Sequence, residues 1–156
     1  MTKDILLTVS GLHRDLKQGE AENADPVTLK TDAKYYYKNN RHYVLYDELQ
    51  EDNSISHNTL VFKEDYMSLV KRGDIDARIL IETGKHHSNA YSTGAGILQI
   101  SMEGEKVLVK EDENQIRALA SYKMRINDEH VADCELSLLL FAKEDEKEVQ
   151  DEKEST

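Results

Sequence analysis

A chain of 156 residues, 38 % hydrophobic, holds enough apolar material for one core and is short for two. Its formal charge of −11 sets up a field that repels phosphate backbones and anionic lipid, so neither nucleic acid nor membrane is expected as a partner. One cysteine, Cys134, excludes an intrachain disulfide, no stretch reaches the roughly 18 to 20 apolar residues of a spanning helix, and the residues after Asp4 fall short of a signal-peptide core, so a cytoplasmic location is expected.

Along the chain the dominant period is two. Ile5, Leu7 and Val9 alternate with other residues, and so do Val27, Leu29, Ala33, Tyr35 and Tyr37. Asn39-Asn40 then marks a turn into a second tyrosine-rich run, so that Tyr35, Tyr36, Tyr37, Tyr43 and Tyr46 fall on one hairpin. Glu64-Asp65 and Gly73-Asp74 are further turn signals, followed by the alternating set Ile75, Ala77, Ile79 and Ile81 and by Thr83-Gly84. Leu98, Ile100 and Met102 alternate up to a turn signal at Glu103-Gly104, and Asp112-Glu113-Asn114 gives another.

The clearest strand is Gln115 to Ile126. Ile116, Ala118, Ala120, Tyr122, Met124 and Ile126 occupy its even positions, while Arg117, Ser121, Lys123 and Arg125 occupy odd ones. A helix would also collect Ile116, Leu119, Ala120 and Met124 on one face, but Lys123 interrupts that stripe. After Asn127-Asp128 the pattern returns with Ala132, Cys134, Leu136, Leu138 and Leu140. From Lys143 to Thr156 the chain carries seven acids, three lysines and one bulky apolar residue, Val149, which cannot offset the entropy of ordering, so 143–156 reads as an acidic disordered tail.

Turn signals spaced mostly near ten residues are the rhythm of successive hairpins. No helical run separates the strands, so parallel crossovers are not available. The prediction for residues 1–142 is an all-β fold, an antiparallel up-and-down meander of about 8 to 10 strands closed into a barrel, because closure removes exposed edges. A two-sheet sandwich is the rival, with longer Greek-key connections than this hairpin rhythm suggests.

Several blocks carry a family resemblance: the hairpin from Asp32 to Glu48 with its Tyr46 and Glu48 ending, the run from Asn58 to Lys85 with the Arg72-Gly73 turn, and the Tyr91, Thr93, Gly96 pattern leading into the closing hairpin to Phe141. In these the chain resembles the YwiB-like family of small bacterial proteins of unknown function. That resemblance implies a lipocalin-like (calycin-like) barrel and leaves function blank. The chain departs from the pattern at Gly94-Ala95-Gly96, and it lacks the tryptophan that caps true lipocalins, so their ligand-transport role is not carried over.

Candidate chemistry is sparse. Arg72-Gly73-Asp74 is read as a tight turn rather than a receptor motif. His86 and His87 would face opposite sides of a strand, and His13, His42, His57 and His130 lack partners at ligand spacing, so no metal and no cofactor is expected. Cys134 reads as a small buried hydrophobe. No nucleophile, base and orienting partner can be matched, so an enzyme is not the favoured reading.

The tyrosines are more informative, since a buried ring brings apolar area together with a hydroxyl that needs a partner. Tyr35, Tyr37, Tyr46, Glu48, Arg72, Tyr91 and Tyr122 are therefore the candidate pocket or mouth residues. The expected function is binding of a small-molecule ligand in the barrel interior; the same rings packed solid against one another are the structural alternative. A protein-interaction or regulatory module is the functional alternative, acting through the acidic surface and tail and through self-association into a homo-oligomer.

Overall fold

The computed structural model describes residues 2–15, 27–73, 76–93, 96–127 and 129–143. The expected acidic tail beyond Lys143, together with Ile75, falls outside them. Ten strands occupy these residues: β1 (Lys3–Asp15), β2 (Val27–Lys38), β3 (Arg41–Leu49), β4 (Ile55–Lys63), β5 (Tyr66–Arg72), β6 (Ala77–Glu82), β7 (His86–Thr93), β8 (Gly96–Glu111), β9 (Gln115–Ile126) and β10 (Glu129–Ala142). No helix of the described residues is long and apolar enough to cross a membrane.

All ladders are antiparallel, and the sheet runs β6-β5-β4-β3-β2-β1-β10-β9-β8-β7. Each neighbouring pair is a chain-adjacent pair except β1 and β10, which join the two halves of the meander. The turns follow from local chemistry. Asn39 and Asn40 both take positive φ, +54° and +63°, as the two-residue turn between right-twisted strands requires, and asparagine tolerates that region. Asp65 at +66° and Gly84 at +77° serve the β4–β5 and β6–β7 turns.

The predicted alternation holds across the sheet. Ile5, Leu7 and Val9 of β1, Leu136, Leu138 and Leu140 of β10, and Ala118, Ala120 and Tyr122 of β9 all point inward and are buried. Phe62, Leu60, Leu7, Met67, Ile81, Val44 and Val107 are the largest fully buried apolar side chains and fill the middle of the barrel. Val27 and Tyr37 share the inward parity but lie at the ends of β2, where they are 80 % and 52 % exposed.

One turn signal is corrected. Glu103-Gly104 lies inside the sixteen-residue β8, at a bulge where β8 carries the extra residue Glu105 between Gly104, opposite Tyr122, and Lys106, opposite Ser121. The glycine is there for close approach. The sheet closes as the β6–β7 turn lands on it, with Gly84 N donating to Gly104 O at 3.0 Å and Gly104 N donating to Lys85 O at 2.8 Å. Asp65 N adds a bond to Val107 O at 3.1 Å, so the barrel is nearly closed through turns instead of a full β6–β7 ladder.

Candidate functional site

Polar side chains enter the interior at both ends of the filled middle. At the end carrying the β2–β3 turn, His42 is 5 % exposed and stacks on Phe62 with ring centroids 4.8 Å apart. Tyr35 Oη donates to His42 Nδ1 at 2.8 Å, and Glu111 Oε1 lies 3.0 Å from His42 Nε2. Burial pulls the His42 pKa below the ordinary histidine value, against the opposing effect of Glu111. Burial, then Glu111, then Tyr37 push the Tyr35 hydroxyl up to about 12. Tyr37 leans on the same imidazole at 4.9 Å.

The opposite half of the interior differs. Tyr46 and Glu48 on β3, Ser56 and Asn58 on β4, and Lys71 on β5 follow the inward parity past Val44, Leu60 and Leu69. Asn58 Nδ2 donates to Glu48 Oε1 at 2.9 Å, and Lys71 Nζ donates to the same oxygen at 3.1 Å. Tyr46 stands directly across the ladder from Asn58 and is 5 % exposed. Burial pushes its hydroxyl up to about 12, offset in part by a hydrogen bond with the Asn58 side chain and reinforced by Glu48. Because Glu48 can only accept, the Asn58 amide is held with its nitrogen toward the carboxylate. Its Oδ1 is buried and has no hydrogen-bond partner among the described residues.

A break in the sheet lies beside this cluster. β2 and β3 pair only from Lys34↔Leu45 to Lys38↔Arg41. One step further in register would bring Ala33 opposite Tyr46, the next Asp32 opposite Asp47, and the next Thr31 opposite Glu48. Two carboxylates facing across a ladder repel. Instead Asp32 takes Lys143 at 2.6 Å and Asp47 takes His57 at 2.7 Å, each on its own side of the gap, while Asp4 pairs with Lys34. An open cleft of about 560 Å³ fills the split, with Ala33, Tyr46 and Asn58 among the residues that line it. A second cleft of about 550 Å³ lies around Glu48, Ser56 and Lys71, so the Asn58–Glu48 bond sits between the two.

Of the residues singled out from sequence, Tyr46 and Glu48 share this cluster. Tyr35 and Tyr37 belong to the His42 end. Tyr122 is buried on β9 across the ladder from Cys134, and burial raises both, the thiol to about 11. Arg72 is exposed on the outer face at the end of β5, and the inward position belongs to its neighbour Lys71. Tyr91 lies on β7, with its side chain outside the described residues. Asn58, Lys71 and His42 were not singled out beforehand, although each follows the inward parity of its strand. No group of three or more His, Cys, Asp or Glu side chains among the described residues is placed to hold a metal ion.

Residues 12–138 match the family described as a domain of unknown function (DUF1934). Among solved structures the chain is similar to the ywiB protein from Bacillus subtilis, with 18 % sequence identity and a TM-score of 0.67 over 88 % of this chain and 91 % of that one. At that identity the likeness concerns the fold. No curated protein matches.

Proposed function

The chain belongs to the DUF1934 family, whose description states no activity, and we propose from its own geometry that it is a small-molecule-binding barrel whose ligand seats in the cleft between β2 and β3. The observation that carries this reading is the open cleft at the end of the β2–β3 ladder, which Asn58, with a buried Oδ1 that has no partner among the described residues, helps to line. Leaving such an atom unsatisfied costs about 1 to 3 kcal/mol, and buried polar groups in native proteins otherwise find partners. The cleft's volume falls within the roughly 300 to 1,000 Å³ of small-molecule sites, and its lining joins Ala33, Leu45 and Tyr46 to a larger set of polar and charged side chains. The filled middle of the barrel argues against a ligand threading the axis and in favour of lateral entry. Cys134 as the lone thiol supports a cytoplasmic setting.

Native mass spectrometry of gently purified protein tests this. The expected spectrum shows a small-molecule adduct that disappears on denaturation and refolding in plain buffer, with the Asn58 side-chain amide resonances shifting between the two preparations. A protein that flies at its sequence mass, with Asn58 resonances identical before and after refolding, would refute the reading.

A further inference from the structure

We propose that the outer face of β8, β9, β10 and β1 carries a separate binding site, a trough that takes an amphiphilic monoanion: one carboxylate on a short aliphatic chain, bound as a free molecule. The trough shares no lining residue with the β2–β3 cleft, so the two readings stand or fall separately.

Strand parity builds the trough. Leu108, Leu119 and Leu139 occupy outward positions, where a sheet with one buried face ordinarily places polar residues. Leu119 stands opposite Leu108 on one side and Ser137 on the other, with Leu139 one outward position along β10. Leu108 is 51 % exposed, and Leu6 and Phe141, opposite each other on the same face, are 40 % and 42 % exposed. The trough has a volume of about 510 Å³ and runs from Leu108 and Lys110 on β8 to Thr8 and Ser10 on β1, three strand spacings or about 14 Å.

The charge at its β8 end is unbalanced. Lys110 stands directly opposite Arg117, an arrangement in which like charges repel, and neither forms an ion pair among the described residues. Arg117 instead meets a neutral group: with the Gln115 amide oxygen turned toward it, Nε and Nη2 donate at 3.0 and 3.2 Å. The acids around them are placed otherwise. Glu64 accepts from Val109 N at 2.9 Å, Asp32 holds Lys143, and Glu135 lies level with Ser121 and Lys106, beyond Ser137.

These two features together select the occupant. The exposed apolar area is on the order of a few hundred Å², short of the roughly 800 Å² per partner of a stable dimer and sufficient for a small molecule. A purely apolar ligand leaves the two cations repelling each other, and an ammonium adds a third positive charge. A carboxylate between Lys110 and Arg117 relieves the repulsion with charge-assisted hydrogen bonds while its chain covers Leu119 and Leu139. The formal charge of −11 repels polyanions and anionic bilayers, which restricts the occupant to a single charge on a free molecule.

The test titrates full-length, isotope-labelled protein separately with sodium octanoate, 1-octanol, octylammonium chloride and sodium acetate at matched ionic strength, reading the methyl resonances of Leu108, Leu119 and Leu139. Octanoate is expected to give saturable shifts there, and 1-octanol to bind roughly three- to tenfold more weakly for want of the charge. Acetate and octylammonium are expected to leave the methyls in place. Lys110→Gln combined with Arg117→Gln is expected to bring octanoate down to the affinity of 1-octanol while 1-octanol binds as before, which also shows the variant folded; should the double variant fail to fold, Arg117→Gln alone is expected to give part of the same loss. Leu139→Ser is expected to weaken both ligands. Octylammonium or 1-octanol binding as tightly as octanoate would overturn the assignment of an anion, and so would an octanoate affinity that neither charge variant moves. Absence of saturable shifts with octanoate would overturn the site. Octanoate shifts confined to Ala33, Tyr46 and Asn58 would overturn it in favour of the β2–β3 cleft, and methyl shifts seen only with phosphatidylglycerol vesicles would overturn it in favour of a bilayer contact.

Discussion

Gly104 is the residue on which closure of the barrel turns. A Cβ built on it would lie 2.1 Å from Glu82 O, 2.6 Å from Glu82 C and 3.0 Å from Glu82 N. All three atoms are backbone, so no side-chain rotation relieves the overlap. In Gly104→Ala the β6–β7 turn has to move by roughly 1 Å, and that movement weakens both bonds that seat it, Gly84 N to Gly104 O and Gly104 N to Lys85 O. Overpacking of this kind costs about 1 to 3 kcal/mol, and each weakened hydrogen bond adds up to about 1 kcal/mol, so a loss of about 3 kcal/mol is expected. For a chain of this size that corresponds to a fall in Tm of roughly 6 to 12 °C. Gly11→Ala is the control, since a Cβ at Gly11 meets nothing within 4 Å and strand interiors favour alanine over glycine by about 0.5 to 1 kcal/mol. Chemical denaturation of the two variants beside the parent measures the difference. If Gly104→Ala proves as stable as Gly11→Ala, the seam between the β6–β7 turn and β8 does not hold the barrel.

His42 gives a pH prediction with a definite sign. Its folded-state pKa lies below the value near 6.5 of an unfolded chain, so as pH falls from about 6.5 the unfolded state takes up the proton first and stability declines until the folded-state value is passed. Urea midpoints between pH 7.5 and pH 5.0 are expected to fall more steeply for the parent than for His42→Gln, and equal slopes would exclude the neutral ring between Tyr35 and Glu111. Cys134, buried and with its thiol pushed up to about 11, is expected to react with a thiol reagent far more slowly in native protein than in urea; equal rates would place it at the surface. Lys71→Met is expected to cost about 1 kcal/mol by taking a donor from Glu48, whereas Arg72→Met stays within about 0.5 kcal/mol; denaturant midpoints in the reverse order would contradict the assigned facing of β5.

The strands were legible because one face of nearly every ladder is buried, and a buried face writes its alternation into the residues. Gln115 to Ile126 shows it most clearly: the even residues Ala118, Ala120 and Tyr122 are the buried ones in β9. Asn39-Asn40 was legible as a turn because few residues accept positive φ twice in succession. Gly104 misled because a glycine needed for close backbone approach carries the same letter as a glycine needed for a turn. In the candidate site, Tyr46 and Glu48 could be read from the parity of β3. Lys71 carried the same signal, two residues after Leu69, but the turn at Arg72-Gly73 drew attention one position too far. The end of the β2–β3 ladder could not be read at all, because Asp32 meets Asp47 only once the register Lys34↔Leu45 is known.

That ladder also explains why the two polar ends of the interior behave differently. Where β2 and β3 stay paired, Tyr37 stands opposite His42 and Tyr35 one step along, close enough for its hydroxyl to satisfy the ring, while Glu111 from β8 completes the set. This cluster is closed by the strands that build it. Past Lys34↔Leu45 the ladder ends, and the inward residues of β2 at that level are Ala33, Thr31 and Leu29, which extend no long polar group toward Asn58. The end of the ladder therefore leaves Asn58 without a β2 neighbour to satisfy its carbonyl.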